Sequence, residues 1–393
     1  MRILWLGVGL GPRTQEKLLS MGGQIKSAQV SERNLLGGLK ALDLIIDTIN
    51  GPQLSPSLFS IVENEIWQDE VSECNVMVGY KNIQYVNRLS KEKAICLEAE
   101  KWAVQHKNEK EIVVFVYSMH TPFLRAAIEV KKIIPSAKIA MIVMDLPQFM
   151  DLKMGTIKKV LKKLDWNRIC KLLPMVDKYI LYAEPMASYL HLKREEWMVM
   201  EGSFDSEILG RRVQNSTFSV MYSGVLDLRY GIPELLDAME MLDPNIELWI
   251  TGDGNAKKMV EERAKKNKRI IYLGFLPSRQ ALLDKQASAT MLISPRRDLE
   301  EASKYCFPSK LFEYMASGNP VISCYLAGIP KEYRKYMIEL KEVSAKEIAS
   351  TIKKVMEMPA ESRNILGNKA KQFVLEQKNK YVQSKKMMDF IMQ

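Results

Sequence analysis

The chain has 393 residues, and its 57 lysines and arginines exceed its 47 aspartates and glutamates, which gives a formal net charge of +10. At roughly 150 residues per domain this length predicts about two domains, and 47% hydrophobic with 26% charged residues excludes a disordered chain. The excess positive charge fits nucleic acid, an anionic membrane surface or a phosphorylated substrate, and composition does not choose among the three.

Short apolar runs alternate with longer amphipathic segments along the chain. We expect strands at Arg2–Gly7, Leu44–Asp47, Ile112–Tyr117, Lys138–Met144, Tyr179–Tyr182, Phe218–Ser223, Glu247–Thr251, Arg269–Leu273, Ala289–Ile293 and Pro320–Cys324. Helices are predicted at Ile232–Leu242, Ala256–Lys266, Ser309–Ala316 and Ala345–Met358. Near-continuous apolar strands separated by helices are typical of parallel sheets covered on both faces, so the predicted class is α/β with two doubly wound units.

The polar stretch EGSFDSEILGRR, residues 201–212, is where we expect the break between the two units. The predicted domains are residues 1–205 and 206–365, followed by a helical segment, 366–393. Ligands of open parallel sheets bind beyond the carboxyl ends of the strands. Two such sheets facing each other would place a ligand in the cleft between them.

Several features narrow the compartment and the kind of site. No apolar run approaches the ~20 residues that cross a bilayer, and the opening segment MRILWLGVGLGPRTQE predicts a buried strand rather than an export signal. Five cysteines without a C-x-x-C pair predict free thiols in a reducing compartment. Three histidines in no paired spacing, and no D-x-D cluster, predict that no metal is bound.

Three strand–glycine–helix turns follow one another in the second half. Gly224 follows the strand in SVMYSGVLDLRYG. Gly252 and Gly254 lie in LWITGDGN, and Gly274 lies in IIYLGF. Glycine allows a ligand to approach closely, and the helix that follows offers free N–H groups to an anion. One such turn is equally explained by the preference of α/β turns for glycine, whereas three in succession favour a ligand site.

The segment CFPSKLFEYMASGNPVIS, residues 306–323, places charged residues at the start of a helix. Lys310 combines a positive charge with nearby free N–H donors, which suits a diphosphate. Glu313 projects from nearly the same face, where its carboxylate could accept hydrogen bonds from a ribose diol. The alternative is that Ser309 is the N-cap and that Lys310 and Glu313 form a surface ion pair.

Taken in order, YSGVLDLRYGIPELLDAM, LWITGDGN, IIYLGFLPSRQALL, LISP, FPSKLFEYMASGNPVIS and GIPKEY resemble the nucleotide-sugar-binding half of glycosyltransferase family 4. The resemblance implies a GT-B fold, which is two Rossmann-like domains facing a central cleft, with the last helix crossing back to the first domain. It implies a retaining hexosyltransferase whose donor is a nucleoside-diphosphate sugar, a UDP-sugar above all, with neither cofactor nor metal. The variant FPSKLFEYMASG is similar to a branch that contains capsule and exopolysaccharide glycosyltransferases.

The resemblance assigns roles to some residues and departs from the family at others. Glu313 matches the second Glu of the family's E-x7-E motif and is expected to hold the ribose, but Tyr305 stands where the first Glu is expected. Val225 and Tyr230 replace the family's Arg and Lys in the first glycine turn, which leaves Arg229 as the nearest substitute.

Other residues of the second half complete the expected donor site. Lys310, with Arg296 and Arg297, could supply the positive charge on the diphosphate; the alternative for the two arginines is solvation. Phe275 and Leu276 fall where the family's backbone meets the nucleobase.

The first half offers fewer candidates. His120 follows a strand in SMHTPFLRAA, and the resemblance implies contact with the donor sugar, against a satisfied core histidine as the alternative. Asp145 follows the next strand and is a partner for an acceptor hydroxyl or a loop turn. Gly22 and Gly23 resemble the family's glycine pair before the first helix.

Residues 153–171, KMGTIKKVLKKLDWNRICK, hold seven basic residues against one acidic residue. Ile157, Val160, Leu161 and Leu164 fall at helical spacing, which is typical of an interfacial helix on an anionic membrane. We therefore expect membrane binding by Lys158, Lys159, Lys162, Lys163 and Trp166. The alternative is a surface helix packed on its own domain.

The function expected from these features is transfer of a sugar to a polyprenyl-diphosphate-linked oligosaccharide, in capsule or exopolysaccharide synthesis, at the cytoplasmic face of the membrane. Two alternatives remain: another GT-B enzyme such as a nucleotide-sugar epimerase, and a catalytically silent sugar-nucleotide-binding subunit. Nucleic acid is not expected as a partner, because the charge is concentrated in one amphipathic stretch.

Overall fold

The computed structural model describes residues 1–83, 86–150, 155–213, 217–297 and 301–393. The chain divides into two compact units. Unit 1 is Met1–Ser203 together with Lys380–Gln393, and unit 2 is Phe204–Asn379.

Strands and helices alternate through unit 1. Its strands are β1 (Arg2–Gly7), β2 (Ile45–Asn50), β3 (Ile61–Val62), β4 (Glu65–Trp67), β5 (Cys74–Met77), β6 (Tyr80–Lys81), β7 (Ile112–Tyr117), β8 (Lys138–Val143), β9 (Lys178–Leu181) and β10 (Trp197–Val199). Its helices before unit 2 are α1 (Pro12–Ser20), α2 (Ser27–Lys40), α3 (Asn87–His106), α4 (Thr121–Ile133), α5 (Thr156–Leu172) and α6 (Pro185–Tyr189).

The main sheet of unit 1 has eight strands in the order β10-β9-β8-β7-β1-β2-β5-β4. Its pairs are parallel except at the edge, where β4 runs antiparallel to β5. The chain winds outward from β1 in both directions, because β1 pairs with β2 on one side and with β7 on the other. This reversal of strand order between β1 and β7 is the switch point at which α/β sheets bind ligands.

Unit 2 repeats the same plan with a smaller sheet. Its strands are β11 (Phe218–Ser223), β12 (Ile246–Thr251), β13 (Ile270–Tyr272), β14 (Met291–Ser294), β15 (Val321–Ser323) and β16 (Ile338–Glu339). Its helices are α7 (Ile232–Ala238), α8 (Lys257–Lys266), α9 (Arg279–Ser288), α10 (Lys310–Ala316), α11 (Ala345–Glu357) and α12 (Ala360–Gln377).

The sheet of unit 2 is wholly parallel, in the order β13-β12-β11-β14-β15-β16. Numbered within the unit this is 3-2-1-4-5-6, the Rossmann order. Its switch point lies between β11 and β14. The loops after these two strands carry the glycine turn at Gly224 and the arginine at position 296, so the strand order itself brings these candidate residues together.

The C-terminal helices belong to different units. Helix α12 packs on α10 in unit 2, whereas α13 (Lys380–Met392) packs on α2 in unit 1. Met387, Met388 and Ile391 of α13 are buried in the core of unit 1. The sequence places the start of the returning segment at residue 366, and the structure returns the chain to unit 1 from residue 380.

A buried carboxylate caps the first helix of unit 1. Glu65 accepts hydrogen bonds from the backbone N–H groups of Arg13, at 3.0 Å, and Thr14, at 2.9 Å, and from the Thr14 hydroxyl. Free N–H groups at the start of a helix attract an anion. At α1 the protein supplies that anion itself.

Candidate functional site

The glycine turns of unit 2 are packed backbone against backbone. A Cβ atom on Gly252 would lie 1.8 Å from the carbonyl oxygen of Gly224, and one on Gly254 would lie 2.3 Å from that of Leu226. Both glycines have positive φ angles, 133° and 154°. The N–H of Gly252 donates in turn to the carbonyl oxygen of Gly274, at 3.1 Å. Loop packing alone therefore requires glycine at positions 252 and 254.

Gly224 has a different neighbour. A Cβ atom there would lie 3.1 Å from Nζ of Lys310, so the missing side chain makes room for this ammonium group. Lys310 Nζ lies 4.2 Å from the ring centroid of Tyr222. Burial, and then the positive charge of Arg296, lower the pKa of Lys310 to about 7, with Glu313 acting in the opposite direction. Among the described residues no carboxylate pairs with Lys310, which leaves this cation available to an anionic ligand.

The two adjacent arginines after β14 have different surroundings. The Arg297 guanidinium forms an ion pair with Glu234 and donates to the carbonyl oxygen of Val343, at 3.1 Å. The Arg296 guanidinium lies 4.7 Å from the ring centroid of Tyr230, and within the described ranges it has no carboxylate partner. Arg297 is therefore held by the fold, and Arg296 joins Lys310 as the second available cation.

Arg229, the expected substitute for the family's basic pair, is held by its own loop. Its Nε and Nη2 atoms donate to the two carboxylate oxygens of Asp227, at 2.9 and 2.8 Å. These bonds are the main reason that the pKa of Asp227 is lowered to about 2. An arginine whose charge is matched in this bidentate way has less to offer a diphosphate than Lys310 or Arg296 has.

Glu313 is positioned by a buried polar network that the sequence analysis did not find. Gln286 is fully buried, and its Nε2 donates to Ser223 Oγ at 2.9 Å and to Glu313 Oε2 at 3.5 Å. Arg279 Nε lies 3.8 Å from the other carboxylate oxygen. Tyr314 accepts from the N–H of Ser223, at 2.8 Å, so α9, α10 and the end of β11 are tied together. Gln286 lies three residues after Leu283 on α9, at the spacing of the buried face, and a polar residue at such a position is the signal that was available.

The remaining donor-site candidates lie on the surface of unit 2. Ser309 occupies the N-cap position of α10, but its side chain makes no capping hydrogen bond. Glu313 pairs with Arg279 and not with Lys310, so the alternative of a surface ion pair between Lys310 and Glu313 is not observed. Phe275 is 66% exposed and Leu276 is half-buried, in the turn after β13. Tyr305 is half-buried at the end of a short 3-10 helix.

His120 of unit 1 lies where the sequence predicts, between β7 and α4. Its ring Nε2 lies 3.4 Å from Gln53 Nε2. Burial is the main reason that the pKa of His120 is lowered to about 3, and the charges of Lys91 and Arg88 also lower it. The imidazole is therefore neutral at pH 7 and can serve as a hydrogen-bonding group rather than as a cation. Lys91, which the sequence analysis did not single out, lines a small pocket together with His120.

Asp145 is exposed in the loop after β8, again at a carboxyl end of the sheet of unit 1. Its charge contributes, after burial, to raising the pKa of Tyr182 to about 12. The Tyr182 hydroxyl lies 3.3 Å from Ser31 Oγ on α2. Asp145 thus lies close to hydroxyl groups on the ligand-binding edge.

Gly22 and Gly23 lie after the first helix, not before it. Their N–H groups donate to carbonyl groups in the last turn of α1, at 3.0 and 2.9 Å, and Gly22 has a φ angle of +75°. This geometry ends a helix. The expectation that the pair precedes the first helix is wrong, because α1 begins at Pro12, directly after the loop that contains Gly9.

The basic stretch forms helix α5, with apolar side chains exposed along one side. Val160, Leu161 and Leu164 are 54%, 46% and 56% exposed. Lys158, Lys159 and Lys163 are exposed on the same helix. Lys153, Met154 and the side chain of Ile157, all in the predicted stretch, lie outside the described residues.

Two other members of the predicted membrane set have partners within unit 1. Lys162 Nζ donates to the carbonyl oxygens of Gln148, at 3.2 Å, and of Met150. The ring of Trp166 is half-buried, with its centroid 6.0 Å from that of Tyr189. These two residues anchor α5 to the unit, so the exposed lysines and aliphatic residues form its outward face.

Two kinds of feature are not found in the part of the chain that the structure describes. It contains no group of three or more His, Cys, Asp or Glu side chains placed to hold a metal ion. None of its helices combines the length and the hydrophobicity of a bilayer span.

Similarity to known proteins is concentrated in unit 2 for the sequence and extends to the whole chain for the fold. Residues 211–373 match the family model of glycosyl transferases group 1. No curated protein matches the chain in sequence. One similar solved structure is HepE from Anabaena in complex with UDP, with a TM-score of 0.65, 12% identity and 100% of both chains covered.

Two further structures show the same likeness. Sucrose-phosphate synthase from Thermosynechococcus elongatus has a TM-score of 0.65 at 14% identity, covering 99% of this chain and 98% of the other. The apo form of the lipopolysaccharide outer core galactosyltransferase WaaB has a TM-score of 0.64 at 11% identity, covering 100% and 99%. At these identities the likeness concerns the fold. The predicted α/β class with two Rossmann-like domains of the GT-B type is confirmed, and residues 211–373 are similar in sequence to glycosyl transferases group 1.

Proposed function

We propose that the protein is a retaining glycosyltransferase that takes a sugar from a nucleoside-diphosphate donor, a UDP-sugar above all. The observation that carries the proposal is the pair of cations without carboxylate partners among the described residues, Lys310 and Arg296, at the switch point of unit 2. The match of residues 211–373 to glycosyl transferases group 1 supports the same reading. HepE, whose structure is similar, was solved with UDP.

The chemistry proposed for unit 2 is mainly electrostatic. When the bond from the anomeric carbon to the diphosphate breaks, negative charge grows on the leaving oxygen. Lys310 and Arg296 stabilise that charge from fixed positions, which lowers the barrier to transfer. Glu313, held by Gln286, accepts hydrogen bonds from the ribose, and the backbone at Phe275 and Leu276 meets the base.

Unit 1 is proposed to handle the sugars and the acceptor. The neutral imidazole of His120 offers a hydrogen bond to a sugar hydroxyl without adding charge. Asp145 is exposed at the next strand end, where its carboxylate can orient an acceptor hydroxyl. Retention has two possible mechanisms, front-face attack and a covalent intermediate. In front-face attack the departing phosphate takes the proton of that hydroxyl, so no side chain of unit 1 has to act as a strong base.

The proposed acceptor is a polyprenyl-diphosphate-linked oligosaccharide at the cytoplasmic face of a membrane, in surface-polysaccharide synthesis. Helix α5 supports this part through its exposed face, on which Val160, Leu161 and Leu164 accompany Lys159 and Lys163. Apolar side chains flanked by lysines bind the boundary between headgroups and acyl chains of an anionic bilayer. Each lysine near such a surface contributes about 1 kcal/mol.

The donor is tested by thermal unfolding with a panel of nucleoside diphosphates and nucleotide sugars, because a ligand of the folded state raises its stability. UDP and one UDP-sugar should raise the midpoint most, and no shift with any nucleotide would refute the donor assignment. Incubation of that sugar nucleotide with and without membrane lipid extract then separates the activities. A transferase gives a glycosylated lipid only with the extract, an epimerase changes the sugar without it, and a silent subunit gives neither.

Membrane binding is tested with liposomes that contain anionic lipid. Replacing Lys158, Lys159 and Lys163 by Ser should weaken binding at least tenfold. The control replaces three lysines of unit 2 that are also exposed, Lys265, Lys266 and Lys268, so that the net charge falls equally. Equal loss in both variants would show that the effect is net charge, and it would remove the assignment of α5.

A further inference from the structure

A small pocket, open to solvent, lies in unit 1 at the carboxyl ends of β1, β2 and β7. The residues that line it are Val8, Gly51, Gln53, Lys91, His120, Pro122 and Phe123. The position is the switch point of the sheet, since β7 and β2 lie on opposite sides of β1. Crevices at such points are where sheets of this type bind ligands.

Positive charge without a matching carboxylate surrounds this pocket. Lys91 Nζ donates to the carbonyl oxygen of Gly51, at 3.3 Å, and Lys26 Nζ donates to that of Gln53, at 2.9 Å. Neither lysine has a carboxylate partner among the described residues. Burial, and then the charges of Arg88 and Lys26, lower the pKa of Lys91 to about 8. Two ammonium groups thus flank one short segment, residues 51–53.

The third cation is neutralised from outside the pocket. Arg88 forms an ion pair with Asp165 on α5 and donates to the hydroxyl of Thr121, at 3.0 Å. The positive charge that no carboxylate among the described residues matches therefore lies on Lys26 and Lys91. In a pocket walled by low-dielectric side chains such a surplus favours an anion.

The N-terminus of α1 does not compete for that anion. The first N–H groups of α1 already bind the buried carboxylate of Glu65. A second negative charge there would meet Glu65 at close range and be repelled. An anionic group that approaches this edge of unit 1 meets the two lysines and the first turn of α4, where Pro122 and Phe123 also line the pocket.

We infer that this pocket binds a phosphate group carried by the acceptor, held between the ammonium groups of Lys91 and Lys26. The inference rests on the proposed function only in naming the acceptor as the carrier. Two sources share this chemistry, a prenyl diphosphate and a soluble sugar phosphate. Val86 and Leu89, at the start of the helix that carries Lys91, are 50% and 62% exposed, and an apolar chain next to the phosphate would cover them.

The experiment measures binding of inorganic pyrophosphate to the full chain by calorimetry. All proteins carry Lys310→Met and Arg296→Met, so that pyrophosphate cannot use the two available cations of unit 2. Lys91→Met should raise the dissociation constant about tenfold, because one charge-assisted hydrogen bond is lost. Lys91→Arg should keep most of the affinity. Lys93→Met, an exposed lysine on the same helix, should leave the affinity unchanged.

Equal pyrophosphate affinity with and without Lys91, or no binding by the chain that retains it, overturns the inference. Unchanged thermal midpoints show that a loss is not misfolding. Geranyl diphosphate and glucose 6-phosphate, titrated in parallel, identify the carrier by which of them binds more tightly than pyrophosphate. UDP binding to the chain with Lys310 and Arg296 intact is measured separately, so failure of the donor assignment and failure of the phosphate pocket give different results.

Discussion

Replacing Lys310 by Met tests the donor site through the number of protons that the protein takes up when UDP binds. The ammonium group lies beside Gly224 with no carboxylate partner among the described residues, and burial lowers its pKa to about 7. A bound diphosphate would bring two or more negative charges next to it. The pKa of Lys310 should then return towards its ordinary value of about 10.4, and binding should take up a proton.

The size of this uptake follows from the two pKa values. With a pKa of about 7 in the free protein, Lys310 should take up about half a proton at pH 7 and about 0.9 at pH 8. Above pH 8 the affinity for UDP should therefore fall almost tenfold per pH unit through this group. Lys310→Met should weaken UDP binding about tenfold or more at pH 7, since a charge-assisted hydrogen bond is lost.

Calorimetric titration of UDP in two buffers of different ionisation enthalpy measures the proton number directly. The phosphate of UDP titrates too, near pH 6, but this contribution is common to the wild type and to Lys310→Met and cancels in their difference. A difference in uptake of about 0.9 proton at pH 8 is expected. Equal proton numbers in the two proteins would refute the placement of the diphosphate at Lys310.

Four further substitutions test contacts that the sequence alone cannot rank. Arg296→Met should weaken UDP binding about tenfold in calorimetry. Arg297→Met should leave UDP binding unchanged but lower the unfolding temperature, because its ion pair with Glu234 is lost. Equal behaviour of the two variants in calorimetry and thermal melts would contradict this. Glu313→Gln should weaken UDP several-fold but leave a UDP analogue without ribose hydroxyls unaffected, and equal losses would remove Glu313 from the ribose. Burial raises the pKa of Glu32 to about 7. As the pH rises from 5 to 8, the wild type should therefore lose up to about 3 kcal/mol of stability relative to Glu32→Gln, measured by urea unfolding. A stability difference that does not change with pH would argue against this.

The main sheets could be predicted because buried parallel strands are written as continuous apolar runs. The predicted strands Arg2–Gly7, Ile112–Tyr117 and Phe218–Ser223 have the bounds of β1, β7 and β11. The edge strand β4 could not be found this way, since it is three residues long and begins with the buried Glu65. The break between α12 and α13 was also missed, because it depends on Phe204 N–H donating to the carbonyl oxygen of Lys378, a contact between distant parts of the chain.

The donor site also has one part that the sequence predicts and one part that it does not. The sequence predicts that Lys310 supplies positive charge to a diphosphate, and the structure places its ammonium group beside Gly224. The sequence does not predict that Arg297 has a carboxylate partner, because this depends on where the packing of the fold places the carboxylate of Glu234. Neighbours in sequence acquire different roles from partners that are 63 residues away.

The position of α13 has a consequence for how the protein is made. Its buried Met387, Met388 and Ile391 complete an apolar core whose other members lie before residue 204. During translation these three side chains emerge only after all of unit 2. Domains generally fold as they leave the ribosome, from the N-terminal end onward. Here the order is reversed: the whole of unit 2 is synthesised before unit 1 can be completed, and the surface of α2 on which α13 packs stays uncovered until α13 is made.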